Sequence, residues 1–113
     1  MLKVHTDDLE DIAVLYVQGR IVRGEELAML RSAVFSQANA RVVILDLALV
    51  NVIDAGGLGT LLELREWALS NGIEFKLENP NELVASLFKI TRLDSVFEVL
   101  SEPRAILCGA IAA

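Results

Sequence analysis

Residues 42–59 read VVILDLALVNVIDAGGLG, an apolar run that passes into a glycine-rich turn. Residues 42–47 combine β-branched and other aliphatic side chains with one aspartate, which is typical of a central parallel strand covered on both faces. A loop over residues 48–57 is expected to follow it, with Asp54 capping the next helix by accepting from the N–H of Gly56 or Gly57. This order predicts an α/β fold whose ligands gather at the carboxyl ends of the strands.

The segments on either side alternate between strand and helix patterns. They predict strands over residues 2–5, 12–17, 74–78 and 96–100, a polar turn over 6–11, and helices that begin at 24–26, run over 57–71 and begin at 101. In the strand over 74–78, Phe75 and Leu77 are expected to point inward and the charges outward. A further helix follows this strand, with Asn79 as its cap, Pro80 at its first position and Glu82 as the capping-box acid. Together they predict a mostly parallel sheet of four to five strands, an antiparallel N-terminal strand and about four helices. Residues 1–113 are expected to form a single domain.

Composition narrows the classes of function. Sixteen acidic residues outnumber ten basic ones, and the net charge of −6 disfavours nucleic acid and favours a protein partner. No apolar stretch reaches the roughly 20 residues that cross a bilayer, and we see no export signal. The single cysteine, Cys108, cannot form an internal disulfide, which agrees with a cytoplasmic location.

Few residues in the chain are of the types that commonly act as nucleophiles, general bases or metal ligands. The chain has one histidine and one cysteine, and no carboxylates are paired at a predicted pocket. We therefore recognise no nucleophile with its base and no metal-ligand set, and we expect no catalytic activity, metal or cofactor. The glycine-rich turn lacks a nearby lysine and matches neither common phosphate-binding motif.

Several segments, in order, resemble the STAS domain. They are VQGRI at residues 17–21, the stretch from Asp46 through Asp54 to Gly59, NG at 71–72, ENP at 78–80 and LDSVF at 93–97. The family includes the bacterial anti-sigma factor antagonists of the SpoIIAA type. The resemblance implies a STAS-like sandwich and a small cytosolic switch that docks on an anti-sigma factor kinase, so that a sigma factor is released for transcription.

The turn departs from the family pattern at one chemically decisive position. In the family it usually reads aspartate, serine, serine or threonine, glycine and leucine, and the second hydroxyl is phosphorylated. The matching residues are Asp54, Ala55, Gly56, Gly57 and Leu58, here called the 54–58 segment. Gly56 stands at the acceptor position, and neither it nor Ala55 carries the oxygen that phosphorylation requires. The resemblance therefore implies no phosphoacceptor and a partner-binding role for the 54–58 segment.

Two hypotheses follow from the missing hydroxyl. The chain is either a constitutive binder of an anti-sigma factor or kinase, or a scaffold and pseudo-switch. The second form would bind another STAS protein, or a small anion at the N–H groups of Gly56 and Gly57. Thr60, one helical turn further on, is not expected to replace the acceptor. The apolar segment 104–113 is expected to pack on the domain or on a second copy, which would make a homodimer.

Overall fold

The computed structural model describes residues 2–100, and strands alternate with helices along them. The elements are β1 (Leu2–Leu9), β2 (Ile12–Ile21), α1 (Glu25–Phe35), β3 (Val42–Ile53), α2 (Ala55–Ser70), β4 (Glu74–Glu78), α3 (Glu82–Ile90) and β5 (Glu98–Leu100), with a short 3-10 helix at Leu93–Ser95. The expected terminal helix, Cys108 and segment 104–113 lie outside the described residues. No helix within residues 2–100 is long and apolar enough to span a membrane.

The five strands form one sheet in the order β1-β2-β3-β4-β5. β1 pairs antiparallel with β2, and all other neighbours are parallel. Because β2 to β5 follow one another in sequence and in space, right-handed crossovers place the three helices on one face. This confirms the predicted fold class, with three of the expected helices inside residues 2–100.

The main core lies between the helices and one face of the sheet. α1 contributes Leu27, Leu30 and Val34, which are buried and recur at helical spacing. Fully buried residues from the other elements include Leu15, Ile21, Leu45, Leu47, Leu61, Leu64, Leu77, Val84 and Phe88. Each such large side chain contributes about 1.5–3 kcal/mol relative to an exposed one, so this layer holds the helices in place.

The opening hairpin has longer strands than predicted. β1 continues to Leu9, and Asp7 and Asp8 pair with β2 instead of lying in a turn. Only Glu10 and Asp11 form the turn, with Glu10 at a φ of 59°. Exposed acids are compatible with an edge strand because its ladder uses backbone groups alone, which the side-chain pattern does not reveal.

β3 is also longer than predicted. The expected loop over residues 48–57 is strand as far as Ile53, and helix α2 begins at Ala55. β2 pairs with β3 along this whole length, from Ile12 opposite Val42 to Ile21 opposite Ile53, with two register shifts on the way. These bulges interrupt the inward and outward alternation, so the sequence pattern there does not look like a strand.

The third helix has a different cap from the predicted one. Asn81, not Asn79, caps α3, and its side-chain oxygen accepts from the Val84 N–H at 2.9 Å. Asn79 instead adopts a left-handed φ of 56° at the exit of β4. Its amide donates to Asp46 Oδ2 at 2.9 Å, so Pro80 lies before the cap and not at the first helical position.

The charges of β4 are not all outward as predicted. Lys76 and Glu78 are only 7% and 2% exposed. β4 lies between β3 and β5, and the Lys76 ammonium is paired with Glu98 on β5 and with Glu74 at 3.4 Å. Lys76 itself is buried, while the carboxylates of Glu74 and Glu98 that pair with it are exposed, and a single-strand pattern cannot reveal this pairing.

Candidate functional site

The 54–58 segment joins the end of β3 to the start of α2 at the carboxyl edge of the sheet. Asp54 has an extended backbone and is the N-cap of α2, since its Oδ1 accepts from the Gly57 N–H at 2.7 Å. A carboxylate also suits the positive end of the helix dipole. The predicted capping role of Asp54 is confirmed.

The second carboxylate oxygen of Asp54 has a partner that sequence analysis missed. Oδ2 accepts from the backbone N–H of Arg23 at 3.1 Å, 31 residues away. This bond and the one from Gly57 hold the pKa of Asp54 below its ordinary value, and the charge of Arg23 acts in the same direction. No local motif marks Arg23, because the contact depends on where β2 ends against β3.

Gly57 is the position at which the fold demands glycine. It is buried, and a Cβ built there would overlap the carbonyl oxygen of Ile21 and lie 3.0 Å from Ile53 Cγ2. The same Ile21 carbonyl accepts from the Asp54 N–H at 3.3 Å. The first turn of α2 therefore packs directly on the end of β2, and any side chain at Gly57 would force them apart.

Gly56 has no such constraint. A Cβ there would lie 3.4 Å from Asp54 Oδ1 and 3.5 Å from Arg23 Cβ and Leu27 Cδ1, which are near-ordinary van der Waals distances. The position is half-buried. Packing therefore does not explain why residue 56 is a glycine.

The five predicted site residues differ in accessibility. Ala55 is exposed, Asp54, Gly56 and Leu58 are half-buried, and Gly57 is buried. Leu58 packs against the main core. The surface of the segment is therefore formed chiefly by Ala55 and by the outer sides of Asp54 and Gly56.

Thr60 does not offer a replacement hydroxyl. Its side chain is buried in the α1–α2 interface, at 2% exposure. Its Oγ1 accepts from Arg31 Nη2 at 3.5 Å, and Arg31 Nε also donates to Glu63 at 3.0 Å. This burial agrees with the expectation that Thr60 does not replace the acceptor.

The anion hypothesis finds no support in the helix start. The N–H of Gly57, one of its two proposed donors, already donates to the Asp54 carboxylate. A second anion there would meet the negative charge of Asp54 at close range. Within residues 2–100, no three histidine, cysteine or acidic side chains converge as a metal site.

A model of the STAS domain family matches residues 3–104. The chain belongs to this family. The match includes every element of the described sheet and all three helices, and it confirms the resemblance inferred from the separate sequence segments.

Solved structures share the STAS fold at low sequence identity. An anti-sigma factor antagonist from Mycobacterium paratuberculosis has a TM-score of 0.80 at 18% identity, over 96% of this chain and 93% of that one. The unphosphorylated anti-sigma factor antagonist SpoIIAA has a TM-score of 0.72 at 11% identity, over 98% and 99% of the two chains. The protein Mglu matches with a TM-score of 0.62 at 25% identity, over 69% of this chain and 20% of Mglu. The chain thus spans a small part of Mglu and nearly all of the two antagonists.

Proposed function

We propose that residues 1–113 form a single STAS domain that acts in the cytoplasm as a noncatalytic regulator. It binds an anti-sigma factor or a kinase partner through the 54–58 segment, and phosphorylation does not control this binding. The observation that carries the proposal is the glycine at position 56. Space for a side chain exists there, yet the acceptor hydroxyl of the antagonists that the chain resembles is missing.

The 54–58 segment is suited to docking because its exposed side chain is small and its backbone is held in place by hydrogen bonds. Ala55 is exposed and carries only a methyl group, so a partner backbone can approach the start of α2 closely. Both oxygens of Asp54 are engaged by backbone N–H groups. The segment therefore loses little conformational freedom on binding, which favours affinity.

The missing hydroxyl removes the usual means of turning binding off. A phosphate would add a charge of roughly −1.5 to −2 at this edge, beside the carboxylate of Asp54. Without it, the docking surface keeps one charge state in the presence of kinase and ATP. Activity then depends on how much of the protein is present.

Restoring the acceptor tests the proposal directly. Wild type, Gly56→Ser and Gly59→Ser are incubated with ATP and a kinase that phosphorylates a SpoIIAA-type antagonist, and intact masses are measured. Gly56→Ser is expected to gain one phosphate, while wild type and the Gly59→Ser control gain none. Stoichiometric phosphorylation of wild type at any residue, or a Gly56→Ser variant that gains no phosphate, would overturn the proposal.

The partner class is tested by affinity capture with wild type and Ala55→Arg. Recovery of an anti-sigma factor by wild type, and its loss with Ala55→Arg, supports the constitutive binder. The alternative function is a scaffold or pseudo-switch, and recovery of other STAS proteins alone would favour it. An identical set of partners for both variants would exclude the 54–58 segment as the docking surface.

A further inference from the structure

The outer side of α3 carries the two most exposed large apolar side chains among residues 2–100. Ile90 is 80% exposed and Leu83 is 67% exposed. Leu87 is half-buried and lies between them in sequence, so the three residues follow the i, i+4, i+7 spacing of a single helical stripe. The fully buried residues of the helix are Val84 and Phe88, and Leu87 also packs against the main core. The apolar surface of α3 thus extends beyond the part that the domain covers, to Leu83 and Ile90.

The charges of α3 are arranged with opposite signs at its two ends. Glu82 is exposed in the first turn, and Lys89 is exposed in the last turn. If two copies of the helix pair antiparallel, Leu83 of one lies against Ile90 of the other and Glu82 lies near the opposite Lys89. The two helix dipoles also oppose each other, which is favourable. Parallel pairing would bring like charges together.

We propose that α3 forms the interface of a homodimer, with two copies of Leu83, Leu87 and Ile90 packed antiparallel about a two-fold axis. Such an interface is isologous, because the same patch serves both subunits. A helix of nine residues buries less than the roughly 1,600 Å² of a standard interface, so the dimer is reversible. None of its residues belongs to the 54–58 segment, and the inference does not depend on the proposed function.

Sedimentation equilibrium of the full chain from micromolar to millimolar concentration tests the proposal. The average mass of wild type is expected to rise towards twice the chain mass. Leu83→Glu and Ile90→Glu are each expected to raise the dissociation constant about tenfold or more, which corresponds to about 1.4 kcal/mol. Leu69→Glu, at a 57% exposed position on α2, is the matched control and is expected to leave it unchanged.

A charge exchange tests the antiparallel arrangement. Glu82→Lys and Lys89→Glu are each expected to weaken the dimer, while the double variant restores it because unlike charges again face each other. Far-UV circular dichroism verifies that every variant is folded. A chain that stays monomeric at millimolar concentration overturns the proposal. The proposal is also overturned if Leu69→Glu weakens the dimer as much as Leu83→Glu and Ile90→Glu do. It is likewise overturned if the double charge variant dimerises no more tightly than the single variants.

Discussion

The backbone N–H of Arg23 donates to Asp54 Oδ2 at 3.1 Å, while Oδ1 of the same carboxylate accepts from Gly57 at 2.7 Å. One side chain thus joins the segment between β2 and α1 to the first turn of α2. The candidate docking surface is held by this carboxylate, so its integrity depends on the ionised form of Asp54. That dependence gives the first prediction.

Asp54→Asn is expected to lower stability at neutral pH, because an amide carries no charge and cannot accept with both of its polar atoms. The hydrogen bonds from Arg23 and Gly57 lower the pKa of Asp54 in the folded state. The contribution of the Asp54 carboxylate to stability is therefore fully present above its unfolded-state pKa of about 3.9. This contribution is lost as the pH falls through the lower folded-state pKa. Urea midpoints should differ between the variant and wild type at pH 7 and converge as the pH falls below the folded-state pKa of Asp54. Asp8→Asn, on the exposed edge strand, is the control, and parallel pH profiles for Asp54→Asn and wild type would contradict the prediction.

Gly57→Ala is expected to destabilise the protein by about 1–3 kcal/mol, because the added methyl group overlaps the Ile21 carbonyl oxygen. Gly59→Ala is the matched control on the same helix. Nothing lies within 4 Å of a Cβ at Gly59, so this change should stabilise α2 by about 0.5–1 kcal/mol. Urea unfolding of both variants measures the difference. Two changes of the same sign would show that the close contact at Gly57 does not limit the fold.

Asn81 is expected to contribute to the stability of the fold through both the oxygen and the nitrogen of its side-chain amide. Its oxygen accepts from the Val84 N–H, and its Nδ2 donates to the Val50 carbonyl at 2.7 Å. Asn81→Ala should cost about 2 kcal/mol, since it removes the cap and leaves the Val50 carbonyl without this donor. Asn81→Ser keeps a capping oxygen and should cost less. Equal losses in thermal or urea unfolding would mean that the cap contributes nothing.

Glu98→Ala is expected to destabilise the sheet more than Lys76→Met. Burial lowers the pKa of Lys76, but its hydrogen bond with Glu98 and the charges of Glu98 and Glu74 outweigh burial, so the net pKa is raised. Removing Glu98 leaves a largely buried ammonium without its nearest partner, at a cost of about 1–3 kcal/mol. Lys76→Met replaces the ammonium by an apolar side chain and should be close to neutral. The reverse order in urea unfolding would contradict this account.

Several features of the site were predictable because they are local. A capping aspartate directly before glycines and a helical apolar pattern predicts an N-cap, since the hydrogen bond closes within three residues. The absence of an oxygen at Ala55 and Gly56 needs no structure at all. Whether the 54–58 segment binds a partner stays a prediction, because accessibility alone does not identify an interface.

The order of residues was enough to predict the α/β class, the central strand and the capping role of Asp54, and it shows that position 56 has no hydroxyl. The folded structure was needed to show that β3 runs on to Ile53, that the Arg23 N–H donates to Asp54, and that a Cβ fits at Gly56 but not at Gly57. The two groups of features differ in how far apart in sequence the interacting residues lie. Caps and apolar periodicity depend on neighbours a few residues away, whereas strand length, register and close backbone approach depend on which distant segments the folded sheet brings side by side.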